Sequence, residues 1–236
     1  MQPLSSEPRY AIYFAPPFEG ALWQLASRWL GRDAATGQRL QQPRIGGFSP
    51  THLAEITADA ARYGFHATLK APFVLAPGCT PDDLAARIEA FATARAAFRA
   101  PPLVLGVLGG FIALVLERPS PAFQALADAS VAQFDDFRCP PAAAEIERRR
   151  AAGLTPRQDQ LLTRWGYPYV FEAWQFHMTL TGPLDTGERA RVQAALDEYL
   201  KPALTDGDWA VDAICLFRQE NRGAPFRLWA RFPFQA

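Results

Sequence analysis

Short apolar or alternating runs are separated along this chain by stretches with a helical period, which predicts strands and helices in turn. The run "RYAIYFAP" at residues 9–16 is β-branched and aromatic and ends in a Pro-Pro pair, so it predicts a strand that leads into the helix "FEGALWQLASRWL". Residues 31–49 are rich in Gly, Gln and Pro and predict a long loop, after which "PTHLAEITADAARY" predicts a short helix.

The same order of elements returns in the second half of the chain. The strands "LVLGVL" and "FIALVLE" flank a Gly-Gly pair, and "FIALVLE" opens a strand-proline-helix step like the first one. "FHMTLTGPL", a helix and the strand "WAVDAICLFRQE" then follow in the order of the first half. We therefore predict one domain over 1–236, built from two lobe-forming repeats at about 1–109 and 110–236 that are related by a pseudo-two-fold axis.

Residues 138–170 have no counterpart of similar character in the first repeat and predict a helical insertion. Its charges, for example Glu145 with Arg148 and Arg149, have the i, i+3 and i, i+4 spacing of ion pairs on a solvated helix. Stacking on a nucleotide base is one possible role for its aromatic residues, but we expect them mainly to pin the insertion to the core. These residues are Trp165, Tyr167 and Tyr169.

Composition narrows the classes of function. The chain has 236 residues, 49% of them hydrophobic, which is ordinary for a globular protein with a substantial core. Lys+Arg (24) balance Asp+Glu (24), so the broad positive field that holds DNA or long RNA is absent, whereas a small anionic ligand remains compatible. Three scattered cysteines and the lack of a run of 18 apolar residues predict a cytoplasmic protein without disulfides, a thiolate metal site or a membrane span.

One motif occurs twice, once in each repeat. "RYGFHATLKAPF" at 62–73 and "WQFHMTLTGPL" at 174–184 both contain His-x-Thr-Leu, although the chain has only three histidines. Because side chains alternate along a strand, His66, Thr68 and Lys70 are predicted to share one face. By the same alternation, the second copy offers His177, Thr179 and Thr181.

A pseudo-two-fold axis would bring both His-x-Thr pairs into one cleft. Two imidazoles with ordinary pKa values near 6.5 can then act as general base and general acid at neutral pH. This pairing suits phosphodiester chemistry, since the base deprotonates the attacking hydroxyl and the acid protonates the departing oxygen. Threonine hydroxyls and Lys70 would stabilise the non-bridging oxygens, and neither a metal nor a cofactor is required.

With these two motifs, one in each half of a duplicated chain, the sequence resembles the 2H phosphoesterase superfamily. "RYGFHATLKAPF", "AAGLTPRQDQLLTRWGYPYV" and "FHMTLTGPL", in this order, are similar to its branch of phosphonate metabolism proteins. The resemblance covers nearly the whole chain and implies a bilobal α+β fold with antiparallel sheets facing each other, flanked by helices. It also implies His66 and His177 as the acid/base pair, Thr68 and Thr179 as phosphate ligands, and cyclic phosphodiesters as substrates.

Three further residues are candidates for substrate binding. Tyr13 and Arg218 lie on strands predicted to flank the histidine strands, where a hydroxyl or a guanidinium suits phosphate. Tyr63 belongs to the same stretch as His66. The third histidine, His52, follows Thr51 at the start of a predicted helix and is expected to be exposed and without a catalytic role.

These observations together predict a metal-independent phosphodiesterase for a small cyclic or nucleotide-like phosphodiester, with a place in phosphonate metabolism implied by the resemblance. The alternative is a non-catalytic module that binds a phosphorylated metabolite or an RNA end. A third possibility is a purely structural role for both histidines. The expected partner is a small phosphodiester, with no membrane and no long nucleic acid.

Overall fold

The structure is a computed structural model, which describes residues 7–204 and 207–235. Nine strands occur in these ranges: β1 (Arg9–Phe14), β2 (Ala67–Phe73), β3 (Phe98–Ala100), β4 (Leu103–Leu108), β5 (Phe111–Leu116), β6 (Met178–Thr179), β7 (Trp209–Val211), β8 (Ala213–Gln219) and β9 (Arg227–Pro233). Seven α-helices accompany them: α1 (Ala21–Leu30), α2 (Pro50–Tyr63), α3 (Pro81–Thr93), α4 (Pro121–Gln133), α5 (Ala143–Arg150), α6 (Pro156–Trp165) and α7 (Thr186–Leu200).

All strand pairs are antiparallel, and most strands lie in one sheet. Its order is β4-β5-β6-β2-β1-β8-β9, while β3 and β7 form a separate two-stranded sheet. The predicted class, α+β with antiparallel sheets flanked by helices, is confirmed. Most strands of both predicted repeats nevertheless lie in one continuous sheet, joined where β2 pairs with β6.

Strands of the two predicted repeats also pair with each other on both sides of this junction. β4, from the first repeat, pairs with β5 of the second, and β8, from the second repeat, pairs with β1 of the first. The order β4-β5-β6 on one side thus mirrors β8-β1-β2 on the other. Each side of the sheet therefore contains residues from both repeats.

Local sequence signals explain where the helices begin. The N-cap side chains of five helices accept a hydrogen bond from a backbone N–H in the first turn, and four of them are followed directly by proline. These caps are Ser49, Thr80, Ser120, Thr155 and Asp185. Within the ranges described, no helix is long and apolar enough to cross a membrane.

The predicted insertion consists of α5 and α6. Leu161 and Val170 form a small apolar cluster with Val131 of α4, against which Trp165 and Tyr167 also pack. Burial of these side chains attaches the insertion to the body of the protein. The expected pinning by aromatic residues therefore holds for Trp165 and Tyr167, whereas Tyr169 is 43% exposed.

Candidate active site

A cavity of about 380 Å³ lies on one face of the sheet, over the junction of β2 and β6. This volume falls in the range of small-molecule sites. Both motifs reach it through His66, Thr68, His177 and Thr179. The cavity wall also comprises residues from β1, α2, α5, the segment after α6 and the loop after β6: Arg9, Tyr13, Asp59, Tyr63, Glu145, Arg148, Arg149, Tyr167, Thr181 and Pro183.

Strand register explains why the two motifs face each other. Ala67 of β2 pairs with Met178 of β6 in an antiparallel ladder. On either side of this pair, each motif histidine therefore lies across from the threonine of the other motif. Cross-strand neighbours of this kind have Cβ atoms about 5 Å apart, and diagonal neighbours about 7–8 Å apart. The four side chains thus surround a space that suits one phosphate group.

Both histidines are oriented by the same backbone contact. His66 Nδ1 lies 2.9 Å from the carbonyl oxygen of Gly64, and His177 Nδ1 lies 2.9 Å from that of Gln175. Because a carbonyl can only accept, each Nδ1 carries the proton and each neutral ring has its lone pair on Nε2. His66 Nε2 is 3.2 Å from the Thr68 hydroxyl, which donates to it. Each Nε2 can therefore accept a proton.

Gly64 is needed for this arrangement. Its φ of 82° lies in the region that glycine favours, and a Cβ at this position would come within 2.5 Å of the Ala34 Cβ. A larger residue would therefore displace the backbone that holds the His66 ring.

The cavity histidines are held neutral. Burial lowers the pKa of His66 to about 4, against the hydrogen bond to Gly64, which raises it, and the nearby His177 lowers it slightly further. Burial also lowers the pKa of His177, against the opposing effect of its bond to Gln175. At neutral pH this end of the cavity offers uncharged imidazoles and hydroxyls.

Two of the predicted tyrosines lie beside His66. The ring of Tyr13, which is 1% exposed, stacks on the imidazole with centroids 3.7 Å apart, and burial raises its pKa well above the ordinary value. Tyr63 at the end of α2 lies 6.3 Å from His66 between ring centroids and stacks on Phe226. Tyr13 therefore fixes the plane of the His66 ring, and its hydroxyl stays protonated.

Thr181 reaches the cavity wall but its hydroxyl is committed to the backbone. Its Oγ1 accepts from the Ile112 N–H at 3.0 Å and donates to the Gly182 carbonyl at 2.8 Å. The residue is 1% exposed. Thr181 was predicted to contact the substrate. Its hydrogen bonds instead fit a role in holding the turn after β6.

The prediction that Lys70 shares a face with His66 and Thr68 is wrong. β2 carries extra residues relative to β1, so Tyr13 pairs with Thr68 but Ile12 pairs with Lys70. This bulge reverses the alternation after Thr68 and turns Lys70 to the other face of the sheet. There its ammonium donates to the Val131 carbonyl at 3.1 Å and to Asp135 at 3.2 Å.

Arg218 also lies on the face away from the cavity, contrary to the prediction that it binds substrate. It pairs with Tyr10 on β1, whereas the cavity face of β1 carries Arg9 and Tyr13. Its guanidinium is held by Glu220 at 2.9 Å and lies 5.9 Å from the Trp229 ring centroid.

Sequence reasoning missed the residues at the other end of the cavity. Arg9 could have been predicted as a cavity residue, because the alternation that places Tyr13 in the cavity places Arg9 on the same face. Glu145, Arg148 and Arg149 were interpreted as a solvated helix, and their ion pairs exist, but α5 also forms a wall of the cavity. That position depends on tertiary packing. Within the described ranges, no three His, Cys, Asp or Glu side chains converge as metal ligands.

Comparison with known proteins gives a family match and two curated relatives. Residues 68–227 match the family model described as "Protein of unknown function (DUF1045)". A protein of Janthinobacterium sp. (strain Marseille) named "Ribose 1,5-bisphosphate phosphokinase PhnN" is 41% identical over 96% of this chain and 51% of its own length. One of the same name from Laribacter hongkongensis (strain HLHK9) is 38% identical over 93% of this chain and 50% of its own. The chain thus spans about half the length of the curated relatives it matches.

Two solved structures align with this chain at low sequence identity. TT0787 of Thermus thermophilus aligns with a TM-score of 0.48 at 16% identity, covering 96% of this chain and 97% of its own. E. coli LigT complexed with NADP+ aligns with a TM-score of 0.45 at 15% identity, covering 98% of this chain and 100% of its own.

Proposed function

The chain belongs to the DUF1045 family of proteins of unknown function, and we propose that it is a phosphodiesterase that opens a small cyclic phosphodiester without a metal ion. One observation carries the proposal. Two imidazoles and two threonine hydroxyls, related by the pairing of Ala67 with Met178, surround a single cavity with both Nδ1 atoms tied to the backbone. The resemblance of both motifs to those of 2H phosphoesterases supports the same reaction class.

In the proposed reaction His66 is the base and His177 the acid. His66 Nε2 takes a proton from water, the water oxygen bonds to phosphorus, and the bond from phosphorus to one ester oxygen breaks. His177 Nε2 gives its proton to that oxygen, which leaves as a hydroxyl on the same product molecule. The assignment follows from burial, since His66, with its pKa lowered to about 4, is the histidine that gives up its proton more readily.

The neighbouring hydroxyls would stabilise the charge that builds on the non-bridging oxygens. Thr68 and Thr179 line the cavity beside the opposite histidine, and their hydroxyls can rotate toward phosphate. Donors placed before the reaction begins stabilise a developing oxyanion at little reorganisation cost. Tyr13 supports this arrangement by holding the His66 ring in a fixed plane.

The curated relatives suggest a particular diester. Their printed name describes phosphorylation of ribose 1,5-bisphosphate. Hydrolysis of a ribose 1,2-cyclic phosphate that carries a 5-phosphate yields ribose 1,5-bisphosphate when the bond to O2 breaks. We propose this compound as the first substrate to test, in agreement with the role in phosphonate metabolism that the resemblance implies.

A substrate panel in the presence of EDTA tests the reaction class. The panel contains nucleoside 2′,3′-cyclic phosphates and ribose 1,2-cyclic phosphate with and without a 5-phosphate, and release of the monoester is followed by phosphorus NMR. We expect turnover of at least one cyclic ribose phosphate at a rate that EDTA does not change. Turnover that EDTA abolishes would contradict the metal-free mechanism, and binding without turnover would favour the non-catalytic module.

The pH dependence of kcat/KM should be a bell centred on the acid side of neutrality. Activity requires His66 neutral and His177 protonated, so it rises through the pKa of His66 at about 4 and falls above the lowered pKa of His177. With a substrate whose only phosphate is the diester, we expect the maximum between about pH 4 and 6.5. A flat profile from pH 5 to 9 would exclude the two-histidine mechanism.

A further inference from the structure

The end of the cavity away from the histidines is rich in arginine. Arg9 from β1 and Arg148 and Arg149 from α5 line the cavity, and Arg222 lies next to them. Glu145 lies between them, accepting from Arg149 at 3.0 Å and from Arg222 at 2.7 Å, with Arg148 at 3.7 Å. One carboxylate therefore pairs with three guanidiniums, and Arg9 lies in the same wall. We call Arg9, Arg148, Arg149 and Arg222 the arginine cluster.

Arg9 is the least neutralised member of the cluster. Its Nε donates to the side-chain oxygen of Gln219 at 2.7 Å, and its guanidinium lies 5.4 Å from the Phe226 ring centroid. Among the residues that the structure describes, no carboxylate lies within ion-pair distance of it. Burial lowers its pKa, which reports a positive charge partly removed from water. An anion in the cavity would offset that cost.

Arg149 also has a hydrogen-bond donor without a partner in the described part of the chain. Its guanidinium lies 4.8 Å from the Tyr167 ring centroid, and one Nη binds Glu145. Its Nε is buried and has no hydrogen-bond partner in the described part of the chain. A buried donor without a partner is costly and rare in folded proteins. Because this atom is out of reach of solvent, a ligand would bind the rest of the Arg149 side chain, which is 22% exposed.

The two ends of the cavity therefore differ in charge. The histidine end holds neutral imidazoles and hydroxyls, which suit the single negative charge of a phosphodiester. The arginine cluster suits the double charge and three oxygens of a phosphate monoester, because guanidinium forks match phosphate geometry. Arg9 and Tyr13 are four residues apart on one strand, about 13 Å along the backbone, and arginine side chains span part of this gap. The remaining space suits one pentose.

We propose that Arg9 and Arg149 bind a terminal phosphate monoester on the sugar whose cyclic diester lies between His66 and His177. The substrate class is thus a phosphorylated sugar cyclic phosphate, not an unsubstituted one. This inference rests on the proposed function for the identity of the diester end. The binding of the terminal phosphate itself depends only on the arginine cluster.

Calorimetry with ribose 5-phosphate tests the terminal site without turnover. We expect Arg9→Gln and Arg149→Gln each to weaken binding about 10- to 100-fold, since each removes charge-assisted hydrogen bonds. Arg9→Lys should recover part of the loss, because it keeps the charge without the fork. Arg150→Gln is the matched control on α5, since Arg150 pairs with Glu147 and Asp159 outside the cavity. Equal affinity in wild type and both glutamine variants would overturn the proposal.

Kinetics with two substrates, ribose 1,2-cyclic phosphate with and without a 5-phosphate, test the terminal site separately from the proposed function. Wild type should prefer ribose 1,2-cyclic phosphate with a 5-phosphate over the form without it, by about 10- to 100-fold in kcat/KM. Arg9→Gln should reduce this ratio toward one. Turnover of both forms with an unchanged ratio in Arg9→Gln would overturn the terminal site alone. If neither form is turned over, the proposed ribose 1,2-cyclic phosphate substrate is wrong, and the calorimetric result alone decides the terminal site.

Discussion

Replacing either cavity histidine by alanine is expected to reduce kcat on a cyclic phosphodiester by about 100- to 10,000-fold, the usual contribution of a positioned acid or base. His66→Ala removes the proposed base and His177→Ala the proposed acid, and the double variant should lose little more than the stronger single one, because both act in one step. Steady-state kinetics at the pH optimum of wild type measure the effect.

His52 supplies a matched control, since it is the third histidine of the chain. It lies in the first turn of α2, where it contacts Glu188, and it does not line the cavity. His52→Ala should therefore keep kcat close to that of wild type. If all three alanine variants lose activity equally, or if none does, histidine catalysis in this cavity is wrong.

Asp135→Ala is expected to destabilise the fold by about 3–5 kcal/mol, the usual cost of leaving a buried charge without its partner. Asp135 accepts from Lys70 at 3.2 Å and from Arg138 at 2.9 Å, and the Lys70 side chain is only 3% exposed. Removal of the carboxylate leaves the ammonium buried against the Val131 carbonyl. Urea unfolding at pH 7 with unchanged m-values measures the loss.

Lys70→Met is the companion variant. It removes the buried charge along with its desolvation cost, while Asp135 keeps its ion pair with Arg138, so the expected loss of stability is smaller than for Asp135→Ala.

The pH dependence of stability gives a second check. Burial lowers the pKa of Lys70 from 10.5 to about 8, so between these values the unfolded chain binds the proton more tightly than the folded one. Stability should rise with pH in this window, and Lys70→Met should remove that rise.

The losses of unfolding free energy in the two variants show whether Lys70 is charged against Asp135. If Lys70→Met destabilises more than Asp135→Ala, or if the rise in stability above pH 8 persists without Lys70, the ammonium is not held as a charged partner of Asp135.

Part of the cavity could be predicted from the sequence because its signals are local. In each motif the histidine and threonine are two residues apart, and alternation over so short a span needs no knowledge of neighbouring strands. The repeated motif then suggests which strands meet, and the structure brings His66, Thr68, His177 and Thr179 to one cavity. Tyr13 and Tyr63 reach it as well.

The rest depended on pairing and packing that a sequence does not specify. Lys70 was misplaced because β2 bulges against β1, and a bulge is defined by the partner strand. Arg218 was misplaced because both alternating sets of β8 are apolar, so neither face is marked as the outer one. The arginine cluster combines β1, α5 and the loop after β8, which lie far apart in sequence and meet only through tertiary packing.

The pairing of strands between the predicted repeats bears on how such a protein could have arisen. A single ancestral repeat would carry one His-x-Thr motif and lack the neighbour that β8 provides for β1. Two copies could supply that strand to each other and place their motifs across a shared two-fold axis. On this view the cavity began as the interface of a strand-swapped homodimer, and fusion of two copies in one chain then allowed the halves to differ, so that α5 and its arginines are present in only one of them.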